Sequence, residues 1–542
     1  MSGFRQPEIP REQRVLWSHQ LEDAIPADHP VRLFDELLHS AAFAKTFAEW
    51  ERQYDLQEGQ PPYHPRDLAG LYLYGMLQRL RSSRQLESAC YNRLDVIWLL
   101  SGQTPDHSTI AAFVTNHGKR LKELFRDVLA VGLRAGLVKL EHVAVDGTKI
   151  EADAGRGSVR TEAKIRSWLS HLDEKIAALQ AEWEQNEHRE ATLFGERTPW
   201  SPRGGRTTAQ RLAGMQRQQE RLRRALTEIA RRQEESAGDK PVQAIASTTD
   251  PDSRSMKDKE GRKKPNYNGQ LGVDAATGMI VAEGVNDAPE DSGQMTPMVA
   301  EVEGNCGRRP VADPPWWTAV SADSQYNTGP ELARLEEQGV EGYLPDCAEN
   351  SEAAKTGSAE TEAAVAAVQA GACLNDAQWS ALPRNNEGKL AKSAFAYDAA
   401  ADAYRCPAGH PLTYVRTSRD QKKWGEAVRR QYGFAGEPPC VHCPHAAACC
   451  RVPAKGRTIN RDQYEEHRER LRARMKSPAG RATYPHRKEI VEPRFGYIKH
   501  DLGVRRFLRR GLEKVRAEWT LVCTAVNVGI LLRHWREVST VL

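Results

Sequence analysis

The feature that most constrains this chain is a change of hydrophobic period just after Leu140. Before it, Asp67 to Arg81 (DLAGLYLYGMLQRLR), Ser83 to Tyr91, Ser108 to His117 and Lys119 to Ala135 carry apolar residues three and four apart, with Asp or Ser at their starts. That spacing predicts short, closely connected helices with side-chain caps. Such a domain has room for a helix-turn-helix, in which Arg79, Arg81, Arg84 and Arg93 meet phosphates; an ordinary helical bundle with a basic edge fits equally well. After Leu140 the pattern alternates. Glu141 to Asp146 (EHVAVD) is β-branched and is broken by Gly147, which predicts a strand ending at an exposed carboxylate.

Downstream, Asn266 to Asp274 and Met279 to Val285 flank the turn Ala276-Thr277-Gly278 and predict an antiparallel hairpin. A helix is expected over Ser292 to Glu303, a strand over Trp317 to Ala322 leading to Asp323, a helix over Pro330 to Gln338 and a short strand over Val340 to Leu344. Three strands followed by alternating helix and strand fit a mixed α/β sheet of the ribonuclease H kind rather than a repeated βαβ wheel.

Two segments interrupt that order. Arg160 to Glu184 and Thr207 to Glu235 are long, charged and heptad-like, and a Pro/Gly-rich stretch from Thr198 to Gly205 separates them, which predicts a helical hairpin packed as a coiled coil. A second insertion, about Asp346 to Gly480, opens with an Ala/Glu-rich stretch and reaches a cysteine cluster. The expected organisation is therefore a helical N-terminal domain (1–140), the first strand of the core (141–158), the helical hairpin (159–238), the core proper (239–345), the cysteine-containing insertion (346–480) and a C-terminal helical part of the core (481–542).

Composition enters where it limits function. At 542 residues, 39% apolar and 28% charged, the chain suits several globular cores. No apolar run reads as the roughly 20 residues needed to span a bilayer, and the first 30 residues lack a signal-peptide apolar core, so the expected location is the cytoplasm. Ten cysteines are too few for a disulfide scaffold in a chain this long, and half fall in one short region, which suits metal binding; the scattered ones are expected to be buried. Net charge is only +4, yet residues 451–515 hold 19 Lys or Arg against 8 Asp or Glu. That concentration predicts a polyanion-binding face, against the plainer reading of a solvated helical surface.

The carboxylates carry the chemistry. Phosphodiester cleavage needs an activated oxygen nucleophile and a stabilised leaving oxygen, and two Mg²⁺ roughly 3.5 to 4 Å apart supply both. Acids at the ends of neighbouring strands, here Asp146 and Asp323, converge in such a sheet, and a third comes from a helix across them. Glu492 in HRKEIVEPRFGYIK is the candidate, with Pro493 suiting a first helical turn. Asp274, Asp287 and Asp313 rival Asp323 as residues following or near strands. Because clustered carboxylates repel, removing one is expected to leave metal-free stability unchanged or slightly raised.

VAVDGTKI (Asp146), SADSQYNTGPEL (Asp323) and YPHRKEIVEPRFGYIKHDLGVRRFLRRGLEKVRAEW (Glu492) resemble the three acidic blocks of DDE transposases of bacterial insertion sequences. Within these the chain is most similar to the group numbered eleven-eighty-two. RSSRQLESACYNRL, PDHSTIAAFVTNH, DPDSRSMKDK, the helical insertion and the cysteine insertion extend the resemblance over nearly the whole chain, and the order of the blocks is what makes it specific. The wider clan carries Tyr-x2-Arg-x3-Glu-x6-Lys around its last acid. Tyr484-x2-Arg487 and Glu492-x6-Lys499 keep their spacing, but four residues separate Arg487 from Glu492, with Lys488 where the Arg would fall. Taking Glu489 instead would put Gly496 at the Lys position.

The resemblance implies binding of inverted terminal repeats in double-stranded DNA, cleavage and strand transfer with two Mg²⁺ or Mn²⁺ on Asp146, Asp323 and Glu492, and a homo-oligomer on DNA. Tyr484, Arg487, Lys488, Lys499, Arg505, Arg506, Arg509 and Arg510 are the expected DNA-binding residues, with one of Arg505 and Arg506 free to pack its stem beside Val504 and Phe507. A stand-alone nuclease of the same fold and a non-catalytic DNA-binding protein are the alternatives; terminal repeats flanking the gene separate the first two. Cys406 in YRCPAGHPL and Cys440-x2-Cys443-x5-Cys449 offer four thiolates for a structural Zn²⁺, with Cys450, His410, His442 and His445 as substitutes and an iron–sulfur cluster as the other occupant.

Overall fold

The computed structural model describes residues 21–54, 61–194, 208–235, 245–257, 261–306, 319–346, 359–385, 387–422 and 425–542. The chain divides into two compact units, Met1–Gly136 with Thr520–Leu542, and Leu137–Trp519. Thr520–Leu542 thus groups with the N-terminal helices, whereas the expected division assigns all of 481–542 to the core.

The first unit holds the helices Pro30–His39, Ala41–Glu51, Pro65–Leu77, Ser83–Asn92, Leu94–Leu99, His107–Asn116 and Gly118–Arg134. Their caps are visible in the sequence: Ser82 and Gln85 form a reciprocal capping box, and Asp106 accepts from the backbone of Ser108 and Thr109. Phe34, Phe43, Phe47, Trp50 and Phe125 are fully buried among them. Arg93 is bonded to Asp95 and Gln78, which withdraws it from the basic edge.

In the second unit β1 (His142–Glu151) is the central strand. It runs five residues beyond Asp146 because Gly147 pairs normally across from Gln270, so the glycine does not end it. The short pair β2 (Val159–Thr161) and β3 (Ile245–Ser247) brackets the helices Glu162–Phe194 and Thr208–Glu235. Ile165, Leu172, Ile176 and Leu179 of the first share an apolar cluster with Leu212, Leu222, Ala225 and Ile229 of the second, and the Thr198 to Gly205 stretch lies outside the described residues. The sheet is completed by β4 (Arg254–Lys257), β5 (Lys263–Asp274), β6 (Ile280–Asn286), β7 (Ala319–Ser321) and β8 (Glu341–Tyr343). β5 pairs antiparallel with β1, β4 and β6, while β7 is parallel to β1 and β8 parallel to β7. Helices Met295–Cys306 and Gly329–Glu337 fall between β6, β7 and β8, giving the element order read from the sequence, with β4 as an added edge.

The second insertion contains a sheet of its own, β9 (Ala396–Asp398), β10 (Ala403–Arg405), β11 (Pro411–Lys422), β12 (Gly425–Gly433) and β13 (Ile459–Asp462), with neighbours in that order. Val368, Leu382, Leu390, Tyr404, Leu412, Tyr432 and Ile459 are buried in its core. Asp346 and Glu336 hold it to the core through Arg472 and Arg470.

One described helix, Leu512–Arg533, is long and apolar enough to cross a membrane, unlike the reading of the sequence, but 83% of its apolar window is buried inside the protein. The DPDSRSMKDK block secures its start. Asp250 accepts from Gly511 N–H at 3.0 Å and Asp252 from Leu512 N–H at 2.8 Å, placing carboxylates where a helix has unsatisfied donors.

Candidate active site

Sheet register brings the first two acids together. His142, Val143 and Ala144 lie opposite Ala319, Val320 and Ser321, and continuing that parallel register two residues sets Asp146 across from Asp323. Asp323 follows the strand end, where its Oδ1 accepts from Gln325 N–H at 2.8 Å. Asp146 accepts from Gly147 N–H at 2.9 Å and from Arg487 Nη1 at 3.1 Å. Burial raises both carboxyls above their ordinary range; Arg487 works against this at each, while Asp323 adds to it at Asp146.

Arg487 is the first residue of a helix, Arg487–Gly496, that packs Val491 and Phe495 inward. It is only 7% exposed, and the charges of both acids act on it. Tyr484, half-buried one turn earlier, has its phenol raised by burial, and the charges of Arg487, Asp323 and Asp146 all act on it. The pair Tyr484 and Arg487 therefore belongs to the acid site rather than to an outer basic row.

Glu492 is not drawn in. It is exposed and makes no hydrogen bond or ion pair among the described residues. Five residues after Arg487, it is turned about 140° around the helix from it. Glu489 is exposed too, and bonds His486 at 2.8 Å. Pro493 sits inside the helix rather than in its first turn, and the chain continues into a wider π-type turn, Tyr497–Asp501.

Among the rivals, Asp274 is buried and accepts from Leu140 and Ala276 N–H, a turn role, and Asp287 pairs with Arg231; Asp313 lies outside the described residues. The sequence reading missed Asp291. Its Oδ1 accepts from Asn268 Nδ2 at 2.7 Å and Gln270 Nε2 at 2.6 Å, and its charge raises the carboxyl of Asp323. Gln270 in turn accepts from the hydroxyl of the fully buried Tyr326. Burial and then the charges of Asp291, Asp146 and Asp323 hold that phenol well above its ordinary range. No periodic signal marks Asp291, which lies in the loop after β6.

The remaining basic candidates divide by partner. Lys499 bonds Thr148, Arg506 approaches Glu151 at 3.9 Å, and Arg510 bonds Asp153 at 2.8 Å. Lys488 and Arg505 are exposed and make no ion pair among the described residues. Arg509 is half-buried, and its N–H donates to Glu518. Arg505 and Arg506 are both exposed while Val504 and Phe507 are buried.

Cys406, Cys440, Cys443, Cys449 and Cys450 line one small cavity with His410, His445 and Trp379. His442 is exposed and does not line it, and of the scattered cysteines Cys373 is exposed whereas Cys90 and Cys523 are buried. Among the described residues, no three His, Cys, Asp or Glu side chains stand as a ready-made metal cage, at the acids or at the cysteines.

Residues 405–532 match a transposase DDE domain, and residues 19–116 match a transposase domain of the DUF772 type. These matches show a transposase family of the insertion-sequence type. A DDE transposase domain implies a ribonuclease H-like core and, in general, nuclease or transposase activity with divalent metals. The DDE match contains Glu492 and the five cysteines of the cavity; Asp146 and Asp323 precede it. No curated protein and no solved structure matches the chain.

Proposed function

We propose that this member of the transposase family is an active DNA transposase, of the group numbered eleven-eighty-two, that binds inverted terminal repeats as a homo-oligomer in the cytoplasm and cleaves and rejoins DNA at Asp146, Asp323 and Glu492. The observation that carries this reading is the register of β1 against β7, which, continued past the end of β7, sets Asp146 across from Asp323, with Arg487 of the helix that bears Glu492 bonded to Asp146. Hard oxygen donors of this kind suit two Mg²⁺ or Mn²⁺. The chemistry of the donors fits: Asp146 and Asp323 supply carboxylate oxygens, the charge of Asp291 acts on Asp323, and Arg487 is a cation already bonded to Asp146. Bound there, two such ions would activate the attacking oxygen and stabilise the leaving one.

The chain's own residues supply the rest. Arg487 holds Asp146 in place until a cation competes for it, with the phenol of Tyr484 within reach of its charge. Lys488 and Arg505 offer charge to the phosphate backbone, which fixes register without reading sequence. Asp146→Asn, Asp323→Asn and Glu492→Gln are each expected to abolish cleavage of terminal-repeat DNA in Mg²⁺ while retaining DNA binding. A variant that still cuts at more than a few per cent of the normal rate removes its residue from the site. For Glu492, the paired variant Glu489→Gln should keep activity.

The cysteine cavity supports a second element of this reading, one structural Zn²⁺ held by Cys406, Cys440, Cys443 and Cys449. Burial, with the neighbouring thiols adding to it, raises the Cys406 thiol above its ordinary range, so a cation bound there would be what holds it as a thiolate. Four protein ligands close a tetrahedral site and leave no position for chemistry.

A further inference from the structure

We propose that Asp291 is a positioning residue of the carboxylate site, one that sets both the charge felt by its cations and the placement of Asp146 and Asp323. The inference rests on the metal-dependent reading above but concerns a residue that none of the three acidic blocks contains.

Three observations converge on it. The first is clearance: a Cβ on Gly147 would overlap Asp291 Oδ1 and the amide of Gln270. Glycine next to Asp146 is thus the one residue that lets a carboxylate pass over the strand at that point, whatever its freedom of φ. The second is preorganisation. Asn268 and Gln270, 2% and 1% exposed, turn their amide nitrogens on the same oxygen of Asp291, while Gln270 uses its own oxygen to accept from Tyr326. Buried amides committed to one acceptor fix that acceptor's position. The network ties the β5 face next to Asp146 to the turn that carries Asp323, because Tyr326 lies three residues after Asp323 and Gln325 receives the backbone N–H of Asp291 at 3.4 Å. The third is charge. Asp291 acts on both Asp323 and Tyr326, so its carboxylate is within electrostatic reach of the site, and it pairs with no cation among the described residues.

A purely structural buttress would need only the acceptor oxygen. A positioning residue for cations needs the negative charge as well. Asp291→Asn separates the two, since the carboxamide oxygen can still accept from Asn268 and Gln270. The test is Mn²⁺ affinity of the full-length chain without DNA, measured by electron paramagnetic resonance of the free ion, for wild type, Asp291→Asn, Asp291→Ala and Asp146→Asn, with thermal unfolding in chelator alongside. Asp291→Asn is expected to weaken Mn²⁺ binding by about 10- to 100-fold, the range that outer-shell partners of metal ligands command, with its chelated unfolding midpoint close to wild type. Mn²⁺ affinity equal to wild type in Asp291→Asn, with Asp146→Asn impaired, overturns the role of Asp291 and leaves the site reading standing. Loss in Asp291→Asn with none in Asp146→Asn supports Asp291 and overturns the assignment of Asp146. Should Asp291→Asn fail to fold, Asp291→Glu decides instead: it keeps the charge and should keep at least part of the affinity, and full loss in a folded Glu variant overturns the proposal.

Discussion

Asp146 carries a structural debt that Asp323 does not. Its carboxylate is bonded to Arg487, which is nearly buried, so removing the negative charge leaves a guanidinium without its ion-pair partner in a place water barely reaches. Asp146→Asn should therefore destabilise the metal-free protein, by about 2–3 kcal/mol, and urea unfolding in chelator measures it. Asp323→Asn should be neutral or slightly stabilising, because Asn keeps an oxygen for Gln325 N–H while a repelling charge is lost. Equal stability of the two variants would contradict the ion pair. The sequence, read as a cluster of like charges, predicts the same small effect for every acid; the guanidinium bonded to only one of them makes the difference. Asp146 and Asp323 are legible as acids near strand ends, whereas Asp291 sits in a loop with no period and is reached through Asn268 and Gln270.

At the scale of elements, the second insertion departs most from its sequence. Ala/Glu-rich composition predicts a lobe too poor in apolar groups to fold without a metal, yet five strands bury Tyr404, Leu412, Tyr432 and Ile459 against two helices. A charge network also ties it together internally. Burial opposes ionisation of Glu465, but Lys392, Arg472 and Arg468 outweigh it and hold the carboxyl down to about 2. A carboxyl depressed in the folded state contributes stability above its unfolded value, near 4.5, and that contribution is lost as pH falls from there to about 2. The amount is on the order of 3 kcal/mol. Glu465→Gln should thus lower the unfolding midpoint at pH 7, with the gap to wild type closing between pH 4.5 and 2; a gap that stays constant with pH would exclude the network as its source. For the cysteine cavity, elemental analysis should give close to one zinc per chain, lost in Cys443→Ser, while Mg²⁺ remains necessary for cutting. Because the lobe has an apolar core of its own, the zinc-free variant should still resist proteolysis better than an unfolded segment. Cys450 adjoins Cys449 and both are buried in the cavity, so retention of zinc in Cys449→Ser with loss in Cys450→Ser would move the ligand by one residue.

Over the whole molecule, the basic C-terminal stretch is less a continuous rail than its composition suggests. Arg487 faces Asp146, Arg506 faces Glu151 and Arg510 faces Asp153, so these charges are already partly spent within the protein. Lys488 and Arg505 are the exposed members without an ion pair among the described residues. Neutralising both should reduce the slope of log affinity against log salt by about 0.9 per lost contact. Arg506→Ala and Arg510→Ala should change it less. A double variant at Lys488 and Arg505 with an unchanged slope would return the stretch to a solvated surface.

What the sequence determined by itself is the part governed by local periodicity and by order along the chain. Alternating apolar residues make β1, β5 and β6, three- and four-residue spacing makes the N-terminal helices, and side chains such as Asp106 and Ser82 cap them within a few residues of where the pattern begins. Tertiary structure decided what depends on contacts between distant residues. Arg487 lies 341 residues from the Asp146 it bonds, and Asp291 meets Gln270 of β5 from the loop that follows β6. The continuation of β1 past Gly147, the exposed position of Glu492 and the apolar core of the cysteine lobe are of the same kind. Each is set by which side chain fills the space opposite, and no local period encodes that.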